Sequence, residues 1–176
     1  AQPVVGGVTT LNGTTVAGTV AGAPSGTATP VATVPSAVSG ITLPAGGASI
    51  GNNFGETLPV SASGRVFFDA NNDGVQSGPG ETGIPGVTIE LTGVDDTGAS
   101  VSLSTTTDAN GDFRFEGLRP GTYTLTQPTQ PPGTSNGQTI AGSAGGTATP
   151  ITTVPSAIAT IDLTTPGTQS IDNLFG

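Results

Sequence analysis

Between Phe68 and Glu81 the sequence Phe-Asp-Ala-Asn-Asn-Asp-Gly-Val-Gln-Ser-Gly-Pro-Gly-Glu sets oxygen donors at alternate positions. Asp69, Asn71 and Asp73 alternate, Gly74 permits a sharp turn, the main-chain carbonyl of Val75 follows, and Glu81 closes the run with a carboxylate able to bind through both oxygens. Hard oxygen ligands in this order are the chemistry of a calcium loop. Ca2+ is the expected cofactor, with Asp69, Asn71, Asp73, Val75 and Glu81 as candidate metal ligands. Counting Asp69 as position 1 puts Glu81 at 13, one beyond the usual glutamate, so Ser77-Gly-Pro-Gly carries an extra residue. The competing reading is a solvated turn, which explains Asn72 to Gly74 but not Asp69 and Glu81.

The flanks must position this loop, and they are strand-like: Val66, Phe67 and Phe68 before it, Val87-Thr-Ile-Glu-Leu-Thr after it. A calcium loop between two strands, not two helices, is expected. Further inward faces of period 2 run through Val66 and Phe68, then Val87, Ile89 and Leu91, Val101 and Leu103, Phe113 and Phe115, and Tyr123 and Leu125. Turn sequences separate them at Asp95-Asp-Thr-Gly, Asp108-Ala-Asn-Gly-Asp and Arg119-Pro-Gly. The text loosens after Tyr123 and regains strand character at Ala159-Thr-Ile-Asp-Leu and from Ser170 to Phe175. About seven short strands is the count of a β-sandwich, so the fold class is all-β.

Composition agrees. Gly and Pro number 29 and 15, a quarter of the 176 residues, and both disfavour helices. The chain has no His, Cys, Met or Trp, and its three basic residues are Arg65, Arg114 and Arg119. No imidazole base and no soft zinc ligand is available. Without lysine, neither a Schiff base nor a lysine isopeptide crosslink can form. The net charge of -9 argues against nucleic acid and anionic membrane surfaces as partners. Nine of the twelve acids lie between Asp69 and Glu116, a local cluster suited to holding cations. No apolar run reaches the length of a membrane span, and no signal-peptide pattern opens the chain. If the chain is exported, its signal is already removed.

The sequence also repeats. The passage from Ala21 to Leu43 matches that from Ala141 to Leu163 at an offset of 120, Asn52-Asn-Phe-Gly matches Asn173-Leu-Phe-Gly, and Asn12-Gly13 matches Asn136-Gly137 at an offset of 124. A period near 120 residues suits an array of domains. Residues 1–56 therefore read as the trailing half of a unit whose complete form is 57–176. Either the chain is a window from a longer array, or residues 1–55 take strands from a neighbouring molecule, giving head-to-tail assembly.

Three stretches, Arg65-Val-Phe-Phe-Asp-Ala-Asn-Asn-Asp-Gly-Val-Gln, Glu81-Thr-Gly-Ile-Pro-Gly-Val-Thr-Ile-Glu-Leu-Thr and Thr107-Asp-Ala-Asn-Gly-Asp-Phe-Arg-Phe-Glu-Gly-Leu-Arg-Pro-Gly-Thr-Tyr-Thr-Leu, together resemble the B-type repeats of bacterial serine-aspartate-repeat surface adhesins, relatives of the collagen-adhesin B domain. The closing Asn52-Asn-Phe-Gly-Glu resembles that family's inter-repeat signature. The resemblance implies an immunoglobulin-like β-sandwich, calcium at the first loop, and an extracellular stalk, spacer or fibre on a bacterial surface. It places ligands at Asp69, Asn71, Asp73 and the Val75 carbonyl, and at Glu81 if the extra residue bulges out. The expected partners are adjacent repeats or identical subunits. The rival function is a ligand-binding adhesin module for a host protein or glycan. An enzyme is disfavoured: Glu90 and Glu116 sit at outward positions, and one Tyr and no Trp leave little sugar platform. Asp108 to Asp112 reads as a turn, with a second calcium as the alternative, and Leu43-Pro-Ala-Gly-Gly as a loop, since it lacks a sortase signal's threonine.

Overall fold

With so much Gly, Pro, Thr and Val, the chain builds pleated structure: among the described residues every regular element is a strand. The computed structural model describes residues 2–31 and 33–176; Ala1 and Ala32, both within the expected first segment, lie outside the described residues. The chain divides into two units, Ala1–Leu58 and Pro59–Gly176.

The second unit holds nine strands: β1 (Val60–Val66), β2 (Thr88–Asp95), β3 (Ser100–Thr106), β4 (Asp112–Leu118), β5 (Gly121–Gln127), β6 (Thr139–Ile140), β7 (Thr147–Ala148), β8 (Ser156–Leu163) and β9 (Gln169–Phe175). One sheet has the order β4-β1-β9-β6 and the other β3-β2-β5-β8-β7. All pairings are antiparallel except β1 with β9, which run parallel. The seven strands of seven or eight residues are those the alternation announces, and the two short pairings, β6 and β7, extend the sheets at their margins. The inner faces meet in one core in which Ile89, Leu91, Leu125, Ile158, Ile161, Leu163 and Phe175 are fully buried. Phe113 anchors one side, its ring 6.1 Å from that of Phe175 and 6.4 Å from that of Phe115.

Two expected inward residues face out. Phe68 is 48 % exposed while Phe67 is 0 % exposed. Strand β1 ends at Val66, and Phe67 bridges to Gly83 and donates its amide to the Phe175 carbonyl (3.0 Å), so the alternation breaks by one residue there. Leu103 is exposed because β3 is the margin of its sheet, paired only with β2.

Strands β8 and β9 are bulged where they meet β5 and β1. Between Tyr123 and Leu125 the partner jumps from Ile161 to Ile158, with Thr160 at φ +55°. Between Ala62 and Gly64 it jumps from Ser170 to Asn173, with Asp172 at φ +61°. Extra residues of this kind bend a strand and sharpen its twist. Gly64 is obligatory at this crossing, since a Cβ there would lie 1.9 Å from the Asn173 carbonyl oxygen.

The first unit repeats the pairings of the trailing part of the second. Leu11–Val16 pairs with Asn53–Thr57 so that Thr15 faces Phe54 and Val16 faces Asn53, as Thr139 faces Phe175 and Ile140 faces Leu174. Thr27–Ala28 pairs with Val38–Ser39 as Thr147–Ala148 pairs with Ala159 and Ile158. The same polar clasp closes both: Asn12 Nδ2 donates to the Val31 and Thr33 carbonyls (2.8 and 2.7 Å), and Asn136 Nδ2 to those of Ile151 and Thr153 (2.8 and 3.1 Å). Ser36 and Ser156 donate to the respective asparagine Oδ1. Gly18 corresponds to Gly142, each so close to a strand carbonyl, Ile50 or Ile171, that a Cβ would sit 2.0 or 2.1 Å from the oxygen. The offset of 124 therefore persists through Gly18, and four extra residues are taken up in the hairpin of Thr19–Val20 with Ala23–Pro24. The sequence match, taken alone, puts that change ahead of Ala21.

Candidate metal centre

The acidic loop leaves the sheet after Phe68 and returns at Thr82. Its base is clamped by the Phe68 amide on the Thr82 carbonyl and the Ile84 amide on that of Val66, both 2.9 Å. Within the loop, carboxylates organise backbone amides. Asp69 accepts from the amides of Asp73 (Oδ1, 3.1 Å) and Gly74 (Oδ2, 2.9 Å). Asn71 Oδ1 also accepts from Asp73 N (3.0 Å), and Asp73 Oδ1 accepts from the Val75 amide (2.8 Å). Gly74 takes φ +75°, the left-handed turn that the calcium pattern reserves for glycine.

The residue that disturbs the spacing is absorbed beyond Ser77. The Glu81 amide donates to the Gly78 carbonyl (3.3 Å) and Gly80 adopts φ +92°, folding Gly78 to Glu81 into a tight turn. Glu81 is thereby drawn inward, 7 % exposed, with Oε2 accepting from the amides of Ser77 and Gly78 (2.7 and 2.6 Å). One oxygen each of Asp69, Asp73 and Glu81 then lie within 4.8 Å of one another. Asn71 stands beside them, its Nδ2 on Asp73 Oδ2 (2.9 Å), while the Val75 side chain points to solvent.

Three carboxylates converging at this distance repel unless a cation joins them. No arginine does so among the described residues: Arg65, on the adjoining strand, gives Nε and Nη2 to Asp112 (2.6 and 3.0 Å) and Nη1 to Gln76 (2.5 Å). The Asp112 carboxylate raises the Arg65 pKa, so that guanidinium is a fixed charge. The donor set, three carboxylates with an amide oxygen nearby, fits a hard divalent cation such as Ca2+.

Neighbours outside the motif brace the loop. Gln76 Nε2 donates to the Glu81 carbonyl (2.8 Å), coupling Arg65 to the far end of the loop. Gln138 Nε2 donates to the Asn72 carbonyl (3.3 Å), and a Cβ on Gly74 would lie 2.9 Å from Ile140 Cδ1. The acidic pattern gives no sign of Gln76 as a brace, and Gln138 lies 66 residues from its partner; only the repeat, which marks 136–176 as one piece, points there.

The other acidic sites are turns. Asp108 Oδ1 accepts from the amides of Asn110 and Asp112 (2.8 and 3.0 Å). Asp95 Oδ1 accepts from Thr97 N, Thr97 Oγ1 and Ala99 N, and Asp96 pairs with Arg119 (2.6 Å). Next to them Tyr123 donates its hydroxyl to the Arg119 carbonyl (2.6 Å). Burial, reinforced by Asp95 and Asp96, pushes its phenol pKa up to about 12.

A family model of the SdrD B-like domain matches residues 61–173. The chain belongs to that family. Similar proteins include a fibrinogen-binding protein of Staphylococcus epidermidis, 37 % identical over 75 residues, covering 43 % of this chain and 6 % of the relative. Serine-aspartate repeat-containing protein I of Staphylococcus saprophyticus is 41 % identical over 75 residues, 43 % of this chain and 4 % of the relative. Colossin-B of Dictyostelium discoideum is 40 % identical over 72 residues, 36 % of this chain and 2 % of the relative. This SdrD B-like chain thus spans a small fraction of these relatives' own length. Among its described residues no helix is long and apolar enough to cross a membrane.

Proposed function

We propose that the second unit is a calcium-stabilised structural repeat of an extracellular bacterial surface protein, serving as a segment of an adhesin stalk or of a self-assembling fibre. The observation that carries this is the gathering of Asp69, Asp73 and Glu81 oxygens within 4.8 Å on a loop whose base is clamped to the sheet. Ca2+ held by Asp69, Asn71, Asp73, the Val75 carbonyl and Glu81 neutralises that charge. It also ties the end of β1 to the stretch leading into β2. Its work is mechanical: with no lysine for an isopeptide bond, metal is the available crosslink along this edge. Family membership and the serine-aspartate-repeat relatives support the surface role, and the internal repeat at an offset of 120 supports a chain of like units joined in series.

Calorimetric titration of the whole chain with CaCl2, paired with thermal melts in calcium and in chelator, tests the reading. Binding at one site and a higher melting temperature in calcium are expected, with both lost in Asp69→Asn and Glu81→Gln. An unchanged melt in chelator would sink it. Host-protein capture is the rival role, favoured by the name of the fibrinogen-binding relative. Electron micrographs separate the two, strings or filaments supporting the structural role and compact monomers that retain a partner supporting capture.

A further inference from the structure

The four sheet edges of the second unit are not alike. An edge strand presents a row of unpaired amides and carbonyls, and folded chains blunt such edges with shortness, charge or bulges. Three of the four are blunted. β6 and β7 are two residues long. β4 carries Asp112, Arg114 and Glu116, and its pairing with β1 is bulged between Val60 and Ala62. β3 has none of these devices: Ser100-Val-Ser-Leu-Ser-Thr-Thr is seven residues without charge or proline, paired to β2 with no shift of register. Of the seven long strands only β3 and β5 lack a charged residue, and β5 lies inside its sheet, between β2 and β8. β3 thus has the composition of an interior strand at an edge.

The free side of β3 is set to bond. At the two ends of its pairing with β2, the Asp95 amide donates to the Ala99 carbonyl (3.0 Å) and the Thr107 amide to the Val87 carbonyl (2.9 Å). Antiparallel bonding alternates residue by residue between these points. Val101, Leu103 and Thr105 therefore bond to β2, while Ser100, Ser102, Ser104 and Thr106 turn their amides and carbonyls away, where no strand stands among the described residues. The space there is open, with Thr105 and Thr106 lining a groove of about 820 Å³. A row of core side chains also stops short at this edge. Ile158, Leu125 and Leu91 face one another across β8, β5 and β2, each 0 % exposed; Leu103 is next in the row and 45 % exposed.

The strand itself points to its occupant. About Leu103, β3 is symmetric in chemistry: Ser102 and Ser104 flank it, Val101 and Thr105 are both β-branched, and Ser100 and Thr106 both carry hydroxyls. We infer that β3 is a docking edge for the β3 of a second copy of this chain, paired antiparallel about a twofold axis through Leu103. In that register Ser102 of one copy exchanges backbone bonds with Ser104 of the other, and Ser100 with Thr106. The two Leu103 side chains meet as a non-hydrogen-bonded pair, the closer kind, so the apolar row runs unbroken through both copies. Such a contact is isologous and closes on itself. Charge permits it although each copy carries a net charge of -9. The acid beside the strand, Glu90, stands opposite Ser104, so the two copies' Glu90 are three strand spacings apart. That is about 14 Å, beyond the screening length of about 8 Å in physiological salt. At the strand ends Asp95 and Asp108 are held by backbone amides and Asp96 by Arg119. The pairing rests on the second unit alone; where units are joined in series, as proposed above, many weak pairs along two strings add up to side-by-side bundling.

Sedimentation equilibrium of the 176-residue chain across a range of concentrations tests this. A monomer–dimer equilibrium is expected, with a dissociation constant on the order of 100 μM, because one strand pair buries less than a standard interface. Ser102→Pro removes an outward amide and no bond to β2, and Leu103→Lys sets like charges directly opposite. Each is expected to weaken dimerisation at least about tenfold, with the thermal melt of the second unit showing that the fold is kept. Leu103→Cys reads the register. The parent chain has no cysteine, and paired residues stand within disulfide reach, so oxidised glutathione is expected to link two copies of this variant. Ser100→Cys, facing Thr106 of the other copy, is expected to stay unlinked. A chain that remains monomeric up to about 1 mM overturns the inference. So does a dimer that persists in both Ser102→Pro and Leu103→Lys, or equal linking of the two cysteine variants. None of these readouts depends on the metal.

Discussion

Two stretches of this chain share sequence, strand register, asparagine clasp and left-handed residues at equivalent positions, yet one is a core and the other a surface. Residues 136–176 bury Ile158, Ile161, Leu163 and Phe175 completely; residues 12–55 leave Leu43 and Phe54 more than half exposed. The difference lies in what stands opposite, since β1 and β5 cover only the second copy. Short-range polar bonds such as Asn12 to Val31 and Thr33 form without a core. Hydrophobic stabilisation does not, because it needs a second apolar surface to exclude water. The comparison separates what a half-repeat achieves alone from what its partner half supplies.

The sharpest break in the comparison comes from truncating the equivalent phenylalanines. Phe175→Ala is expected to cost the second unit about 3–5 kcal/mol, whereas Phe54→Ala should stay within about 0.5 kcal/mol; urea unfolding followed by tyrosine fluorescence for the second unit and exchange for the first measures both. A comparable result for the two would mean that Phe54 is already covered. Calcium should divide the units next. At a free concentration a hundred times the dissociation constant it adds about 2.7 kcal/mol, to the second unit alone, as the first has no acidic loop; exchange at 69–82 in calcium and in chelator shows where the gain resides.

Alkali provides a third contrast. The Tyr123 phenol is raised to about 12 in the folded unit, against 10.0 for the free group. Its contribution is therefore complete below pH 10 and is lost as pH rises from about 10 to 12. Since the chain has one tyrosine, the melting temperature of the second unit should fall over that window, in step with phenolate absorbance. The smallest expected effect is the clasp: Asn136→Ala should cost about 0.5–1.5 kcal/mol by removing the bonds to two solvent-exposed carbonyls and to the Ser156 hydroxyl. Asn12→Ala removes the same bonds from a unit with no core among its described residues, and its signature is faster exchange at 29–31 and 33–37.

Much of the second unit could be read in advance. Alternation at Ile89 and Leu91, Phe113 and Phe115, and Tyr123 and Leu125 located β2, β4 and β5, because a half-buried strand imposes a period of 2 on its side chains. Phe68 failed because an isolated bridge at Phe67 shifts the period, and Leu103 because its strand lies at a margin; neither is a property of the local sequence. At the loop, the spacing named Asp69, Asn71, Asp73 and Glu81 but left the reach of Glu81 open. The turn at Gly78 to Glu81 and the left-handed Gly80 bring that carboxylate to the other two. Gln76 and Gln138 had no motif to announce them, since a brace is recognised by its partner.

By itself the sequence determined the strands, the acidic loop and its oxygen chemistry, the exclusion of lysine crosslinks and imidazole catalysis, and the existence of a repeat with its approximate phase. Local periodicity and residue type are enough for these, because they express backbone geometry and side-chain chemistry over a few residues. Only the tertiary structure decided which strands are neighbours, that three carboxylates from a loop with an extra residue converge, and that two similar segments differ in burial. Those outcomes depend on groups far apart in the chain. The same Phe-Gly ending is core beside β1 and surface without it, and nothing within the ending itself records the difference.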